Sequence, residues 1–281
     1  MKHQTKQSAK KHASNQIVLI NGIRSEYLNV MDRSIHYGDG IFETILCMTT
    51  GSPTTTDADT KETDTSIIKL CYWRQHYQRL KQSAQHLQLD CPDEHVLLDD
   101  IKQLLQDNMP SQACVIKIIL TRGTGDRGYL YPKRQAESRI VSVSAIDADY
   151  SSILSGHLLT GELYLCRQPV SINTGLAGLK HLNRLENVIA RNEFAAGKGG
   201  PYIDGLMMND ESAVIEGSMS NLFAVSGDLL ITPDLQRSGV NGVMREVIIE
   251  LARNNEIEVR IRELKSCLLY TSDAADDRPR V

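Results

Sequence analysis

Gly178-Leu179-Lys180-His181-Leu182-Asn183-Arg184-Leu185-Glu186 is the stretch around which this chain is organised. A glycine-punctuated loop, Ser171 to Gly178, ends at a lysine, and Leu182, Leu185, Val188 and Ile189 follow at helical spacing. A lysine just ahead of an apolar helical stripe is poorly placed to be a solvated charge. Where the fold strips water from it, its amine gives up a proton more readily and becomes a Schiff-base nucleophile. The ordinary alternative is an exposed lysine at a helix start, and the residues on either side decide between the two.

On the C-terminal side, the helix begun after Lys180 is expected to end near Gly197, and a strand at Gly205 to Met208 turns through Asn209 to Ser212. It returns as Ala213 to Glu216, where Glu216 follows Val214 and Ile215 and precedes Gly217. A carboxylate in such apolar company is costly unless a cation or a proton faces it. Leu222 to Val225 reads as a further strand. Ser238-Gly239-Val240-Asn241-Gly242 then opens a helix carrying Val243, Val247, Ile248, Leu251 and Ala252. A glycine-rich turn into a helix leaves free N–H groups at the positive end of its dipole, a ready anion site as well as an ordinary cap. Ile257 to Ile261 reads as the last strand.

On the N-terminal side, Leu158 to Cys166 and Ser138 to Ala145 read as strands. Before them stands Arg122-Gly123-Thr124-Gly125-Asp126-Arg127-Gly128-Tyr129, a flexible loop whose arginines can wrap anionic groups. Ala113 to Thr121 is β-branched and apolar, as expected of a nearly fully buried strand, so Lys117 at its middle needs a carboxylate or a cleft. Trp73, Tyr77, Leu80, Ala84 and Leu87 step as a helix with one buried face, and Arg79 beside that stripe carries a planar fork suited to phosphate. A second helix spans Asp93 to Gln106. Ile17 to Ile20, the turn Asn21-Gly22 and a strand near Tyr27 to Val30 predict a hairpin. The bend at Gly38-Asp39-Gly40 leads into a strand from Ile41, off which Thr44 projects.

The chain has 281 residues, 41% of them hydrophobic and 23% charged, a globular composition of one large or two modest domains. A net charge of -4 gives no reason to expect nucleic acid or an anionic membrane as partner. Six scattered cysteines without a Cys-x-x-Cys pair suggest neither a metal site nor a disulfide framework, and fit a reducing cytoplasm. No apolar run approaches the ~20 residues of a membrane span. The expected division is a disordered basic arm at 1–16, a small N-terminal α/β domain at 17–146, a linker at 147–157 and a larger lysine-bearing domain at 158–265. A polar stretch at 51–66 reads as a mobile loop insertion.

A dehydrated lysine, a buried carboxylate, an arginine and a glycine-capped helix N-terminus are the parts that hold pyridoxal phosphate. Spacing alone does not choose that cofactor. His-Tyr-Gly-Asp-Gly-Ile-Phe-Glu-Thr at 36–44, His-x-x-Arg-Leu at 76–80, the Lys180 stretch, Glu-Gly-Ser-Met-Ser-Asn-Leu-Phe at 216–223 and Gly-Val-Asn-Gly-Val-Met-Arg at 239–245 resemble the fold-type IV pyridoxal-phosphate enzymes. That group includes branched-chain and D-amino acid aminotransferases, and Arg122 to Tyr129 with Lys180 to Glu186 leans towards its aminodeoxychorismate lyases.

The resemblance covers about residues 17–265 and implies a two-domain α+β fold. A small N-terminal α/β domain would be joined to a larger barrel-like one, in a homodimer. It implies Lys180 as the Schiff-base lysine, Glu216 on the ring nitrogen, and Arg79 with the backbone N–H groups of Val243 and Met244 on the phosphate. Thr44 matches a substrate-facing position that helps protonate the leaving group. Lys117 and Arg127 are candidates for the substrate's carboxylates on their charge and placement rather than on the resemblance. The implied reaction takes 4-amino-4-deoxychorismate to 4-aminobenzoate and pyruvate, a step towards folate. The alternatives are a D- or branched-chain amino acid aminotransferase, and a non-catalytic small-molecule binding protein on the same scaffold. The family pattern continues with a segment like Ala-Asp-Glu-x-Phe-Ile-x-Asn-Ala. Residues 266–281 depart from it and read as a non-native tail, so that the C-terminal part is expected to be truncated.

Overall fold

A computed structural model describes residues 17–50, 67–107, 113–146, 160–195 and 202–265. The basic arm, the 51–66 insertion, the linker at 147–157 and the tail at 266–281 all lie outside the described residues. The chain opens with β1 (Ile17–Ile20) and β2 (Ile23–Arg24), paired at Ile20 and Ile23. Asn21 and Gly22 between them both take positive φ, 52° and 79°, the turn geometry that matches strand twist. This two-residue turn places the second strand at Ile23–Arg24, not at the expected Tyr27 to Val30. Ser25 N–H donates to the Val18 carbonyl, and the chain then leaves the sheet. It enters α1 (Arg33–Tyr37), capped by Asp32 accepting from Ser34 N–H and closed by Gly38 in the left-handed region.

β3 (Gly40–Thr50), β4 (Ile67–Leu70), β5 (Ala113–Thr121) and β6 (Ser138–Ala145) complete an antiparallel sheet in the order β2-β1-β6-β5-β3-β4. Two amphipathic helices, α2 (Trp73–His86) and α3 (Glu94–Asp107), contribute Leu80, Leu97 and Leu104 to a core shared with Ile45, Ile116 and Leu120. Each such side chain contributes about 1.5–3 kcal/mol on leaving water. β5 is buried on this face only. Its burial alternates with the pleat and leaves Lys117 exposed on the opposite, open face, correcting the expectation of a nearly fully buried strand.

In the C-terminal half, β7 (Glu162–Leu165), β8 (Tyr202–Met208), β9 (Ala213–Gly217) and β13 (Leu264–Lys265) form a sheet in the order β13-β9-β8-β7. β10 (Ala224–Ser226), β11 (Leu229–Thr232) and β12 (Glu258–Ile261) form a smaller one. Parallel pairs in these sheets are joined through helices: α4 (Leu185–Glu193) lies between β7 and β8, and α5 (Val243–Asn254) between β11 and β12. The apolar stripe after Lys180 is not what buries α4. Leu185, Val188 and Ile189 are 70%, 54% and 45% exposed, because the helix docks through Ala190, with Phe194 just beyond it. In α5, Val243, Val247 and Ala252 point inward as the spacing predicts. Ile248 and Leu251 face outward, while Ile249 and Arg245 take inner positions.

Candidate active site

Lys180 lies in an extended segment held on both edges. Phe42 N–H donates to the Lys180 carbonyl at 2.9 Å, and Leu182 N–H to the Gly40 carbonyl at 3.0 Å, so the segment adds itself to the start of β3. On the other edge Gly178 N–H reaches the Gly239 carbonyl at 2.9 Å, and Asn241 N–H reaches Gly178 at 3.0 Å. Residue 40 must be glycine for this approach. A Cβ there would lie 2.6 Å from the Leu120 carbonyl oxygen and 2.8 Å from Leu182 Cδ1. The lysine is therefore placed between a strand of the N-terminal sheet and the turn that opens α5.

The amine of Lys180 lies 4.5 Å from the centre of the Phe42 ring. Burial lowers its pKa to about 8, with Arg79 and Arg184 pushing the same way and Glu43 and Glu216 opposing them. Glu216 is buried at 4% exposure and accepts the Val240 N–H at 2.8 Å. Burial raises its pKa to about 7, against the lowering effects of that N–H, Arg184 and Lys180. Arg184 spends its guanidinium on the carbonyls of Leu179 and His181, at 2.6 and 3.0 Å, which locks the backbone around the lysine. His181 is held neutral, its pKa lowered to about 4 by burial and then by Arg184.

Beside this pair the sequence builds an anion site. Arg79, on α2, donates to Glu43 through Nε and one terminal nitrogen, at 2.8 and 2.6 Å, and to the Asn241 carbonyl at 2.8 Å. Those three bonds leave two of the five N–H donors of a guanidinium unspent. Asn241 immediately precedes Gly242, the N-cap of α5, where no side chain caps the helix. The first N–H groups of the helix, on Val243 and Met244, thus remain available at its positive end next to Arg79. A residual guanidinium fork, an uncapped helix start, a desolvated amine and a buried, protonatable carboxyl are the donor set that pyridoxal 5'-phosphate requires. The residues present fit that group.

Of the other expected site residues, Thr44 and Lys117 are directly opposed on β3 and β5 and both are exposed on the open face of the sheet. The Lys117 amine lies 5.1 Å from the same Phe42 ring that carries Lys180. Arg127 is not brought to this group. It sits on an exposed loop whose backbone is pinned by Arg33, which donates to the Gly128 carbonyl at 2.9 Å. The loop expected to wrap anions is otherwise structural, because Arg122 is buried and paired with Asp39 at 2.9 Å. A cavity of about 680 Å³ is lined by residues such as Val170, Asn173, His181 and Ser238. It includes none of Lys180, Glu216 and Arg79, so the converging groups rather than the hollow locate the site. Among the described residues no cluster of three or more His, Cys, Asp or Glu is placed to hold a metal.

The family described as amino-transferase class IV matches residues 40–275. The chain belongs to that family. Among similar proteins, the aminodeoxychorismate lyase of Vibrio harveyi is 30% identical over 90% of this chain and 84% of its own length. A putative branched-chain-amino-acid aminotransferase of Methanocaldococcus jannaschii is 28% identical over 88% of this chain and 76% of its own. The crystal structure of 4-amino-4-deoxychorismate lyase from Pseudomonas aeruginosa is 32% identical, covers 90% of this chain and 84% of that one, and superposes with a TM-score of 0.73. The fold is thus the two-domain α+β fold of the fold-type IV enzymes. In this class IV chain three further residues serve the site without having been singled out in the sequence. Glu43 aims Arg79, Arg184 locks the lysine segment, and Asn221 donates to the Val240 carbonyl at 2.8 Å. Glu43 carried a usable signal: on a strand it shares its face with Ile41 and Ile45, both buried.

Proposed function

We propose that this chain is a pyridoxal-phosphate-dependent lyase that converts 4-amino-4-deoxychorismate to 4-aminobenzoate and pyruvate, a step towards folate. The observation that carries the reading is the convergence of Lys180, its pKa lowered to about 8, with Glu216, raised to about 7, beside the Arg79 and α5 anion site. Similarity over 90% of the chain to two proteins named as that lyase selects the substrate.

The bound cofactor supplies an electron sink for charge developing at the substrate carbon that bears the amine. Lys180 Nζ is the nucleophile that holds the cofactor and the base that takes the proton from that carbon. Glu216 would hold a proton at the ring nitrogen of the bound cofactor. Arg79 and the N–H groups of Val243 and Met244 would bind its phosphate. The Thr44 hydroxyl gives a proton to the departing enolpyruvyl group, and the exposed Lys117 ammonium binds a substrate carboxylate. Site groups come from both expected domains: Thr44, Arg79 and Lys117 from 17–146, Lys180, Glu216 and α5 from 158–265.

The reading includes a cytoplasmic homodimer. The exposed Leu185, Val188 and Ile189 on α4 form an apolar surface suited to a second copy, in which the outward Arg127 loop is available to the neighbouring site. Among the described residues no helix is long and apolar enough to cross a membrane, and the five described cysteines are free, as a reducing compartment keeps them.

The test is turnover of 4-amino-4-deoxychorismate by the cofactor-loaded protein, with 4-aminobenzoate and pyruvate both measured. Lys180→Ala should abolish product and the visible absorbance of bound cofactor. Amino transfer from D-alanine or leucine to a keto acid, without pyruvate from the lyase substrate, assigns an aminotransferase instead. Bound cofactor with neither product assigns a binding protein.

A further inference from the structure

Asp204 stands outside the groups described so far. It lies in β8, the strand paired with β9 at Met207 and Glu216. Its side chain crosses to the turn that follows Glu216. One carboxylate oxygen accepts from Ser218 Oγ at 2.5 Å and from Gly205 N–H at 2.7 Å, and the other from Ser220 Oγ at 2.7 Å. The cationic partner is the half-exposed Arg191, 3.7 Å away. The crossing needs a glycine at 217, where a Cβ would lie 2.5 Å from Asp204 Oδ2 and 2.3 Å from Ser220 Oγ.

From that anchor a continuous path returns to Glu216. Gly217 N–H closes the turn on the Ser220 carbonyl at 2.7 Å, and Ser218 N–H ties it to Gly205 at 2.8 Å. Asn221 then donates to the Val240 carbonyl at 2.8 Å, and Val240 N–H donates to Glu216 Oε2 at 2.8 Å. The charged groups facing Glu216 are Lys180 and Arg184, both cationic, and Asp204, the anion.

We propose that Asp204 is a positioning residue for Glu216: it holds the Gly217–Asn221 turn that aims the Glu216 carboxyl, and it sets a fixed negative charge beside that carboxyl. The inference rests on Glu216 as the partner of the ring nitrogen and extends it one shell outward. Burial is the main reason Glu216 retains a proton up to about pH 7, and the Asp204 charge acts in the same direction. Three donors, Ser218 Oγ, Ser220 Oγ and Gly205 N–H, hold the Asp204 carboxylate in place.

The two parts of the role separate experimentally. Asp204→Asn keeps the size and lets the hydroxyls reorient, but removes the charge. The Ser218→Ala/Ser220→Ala double variant keeps the charge and frees the turn. Carbon-13 NMR of the cofactor-free protein, with the Glu216 carboxyl assigned by its loss in Glu216→Gln, should show the Asp204→Asn midpoint below the wild-type value near 7. The double variant should show no downward shift, while its dissociation constant for pyridoxal 5'-phosphate should rise about tenfold. An unmoved Glu216 midpoint in Asp204→Asn, or wild-type cofactor affinity in the double variant, overturns the proposal. Should Glu216→Gln leave the bound-cofactor spectrum unchanged while Asp204→Asn still shifts the midpoint, the ring-nitrogen role fails and the Asp204 coupling stands.

Discussion

Glu43→Gln is the substitution whose cost the structure fixes most closely. Glu43 is 1% exposed and accepts Arg79 Nε at 2.8 Å, an Arg79 terminal nitrogen at 2.6 Å and His76 Nδ1 at 2.7 Å. Burial pushes its pKa up, but the His76 and Arg79 bonds together outweigh that and hold it below the usual carboxylate value. Glutamine keeps the volume, turns one acceptor oxygen into a donor facing donors, and leaves Arg79 without its counter-charge. Removing one partner of a buried pair costs about 3–5 kcal/mol, a large share of a folding free energy of about 5–15 kcal/mol. At about 2–4 °C per kcal/mol for a chain of this size, the melting temperature should fall by about 6–20 °C. Since the folded carboxyl has the lowered pKa, its contribution is present above the unfolded value of 4.5 and is lost as pH falls through the folded one. Calorimetry of the cofactor-free protein should therefore show a gap between wild type and variant at pH 7 that narrows below about pH 4.5. Phosphate affinity should fall with it, because Arg79 loses the group that aims it. Equal melting temperatures at pH 7, or a gap that persists unchanged in acid, would refute this account of Glu43.

Gly242→Ala would place a Cβ 1.7 Å from Asn221 Oδ1, displacing that side chain from the Val240 carbonyl and disturbing the start of α5. Affinity for pyridoxal 5'-phosphate should fall about tenfold or more, and an unchanged titration would show that the close approach is not needed. Asp39→Asn should lower the free energy of unfolding by about 3–5 kcal/mol, read from urea curves, since the buried Arg33 and Arg122 share one Asp39 oxygen at 2.8 and 2.9 Å; superimposable curves would count against it. In the cofactor-free protein Glu216 loses its stabilising contribution as pH rises from its unfolded value of 4.5 to about 7. Lys180, lowered from 10.5 to about 8, restores stability as pH climbs between those values. Stability should thus pass through a minimum between about pH 7 and 8, and Lys180→Met should lose the rise above it; a monotonic wild-type profile would contradict both assignments.

The elements whose period is set by one dominant neighbour were legible in the sequence. α2 and α3 each lie on one sheet, so their apolar stripes are the buried faces. The stripe through Leu185, Val188 and Ile189 was equally periodic and is exposed, because periodicity states that a face is apolar and not what covers it. Lys117 was misplaced for a related reason. A β-branched, apolar run interrupted only by Lys117 suggests burial on both faces, yet only the pleat facing α2 and α3 is covered. Lys180, Glu216 and the opening of α5 were legible because each breaks a local rule, a charge in apolar company or a glycine where a cap would serve. Glu43 and Arg184 break rules that only the third dimension states. Their partners are Arg79, 36 residues away, and the carbonyls of a turn whose shape no composition announces.

The lowered proton affinity of Lys180 follows from how the fold allots partners to its neighbours. Two carboxylates, Glu43 and Glu216, favour the proton on that amine through their charge, and each is engaged elsewhere. Glu43 is taken by His76 and Arg79, and Glu216 is buried against the Val240 N–H. Among the described residues Lys180 forms no ion pair, so Glu43 and Glu216 offset its burial only in part, and Arg79 and Arg184 add repulsion. The low proton affinity of Lys180 thus depends on the Glu43–Arg79 pair as well as on its own burial, Arg79 lowering it and Glu43 opposing. Hence Glu43→Gln should reach the chemistry of residue 180 as well as the stability of the sheet.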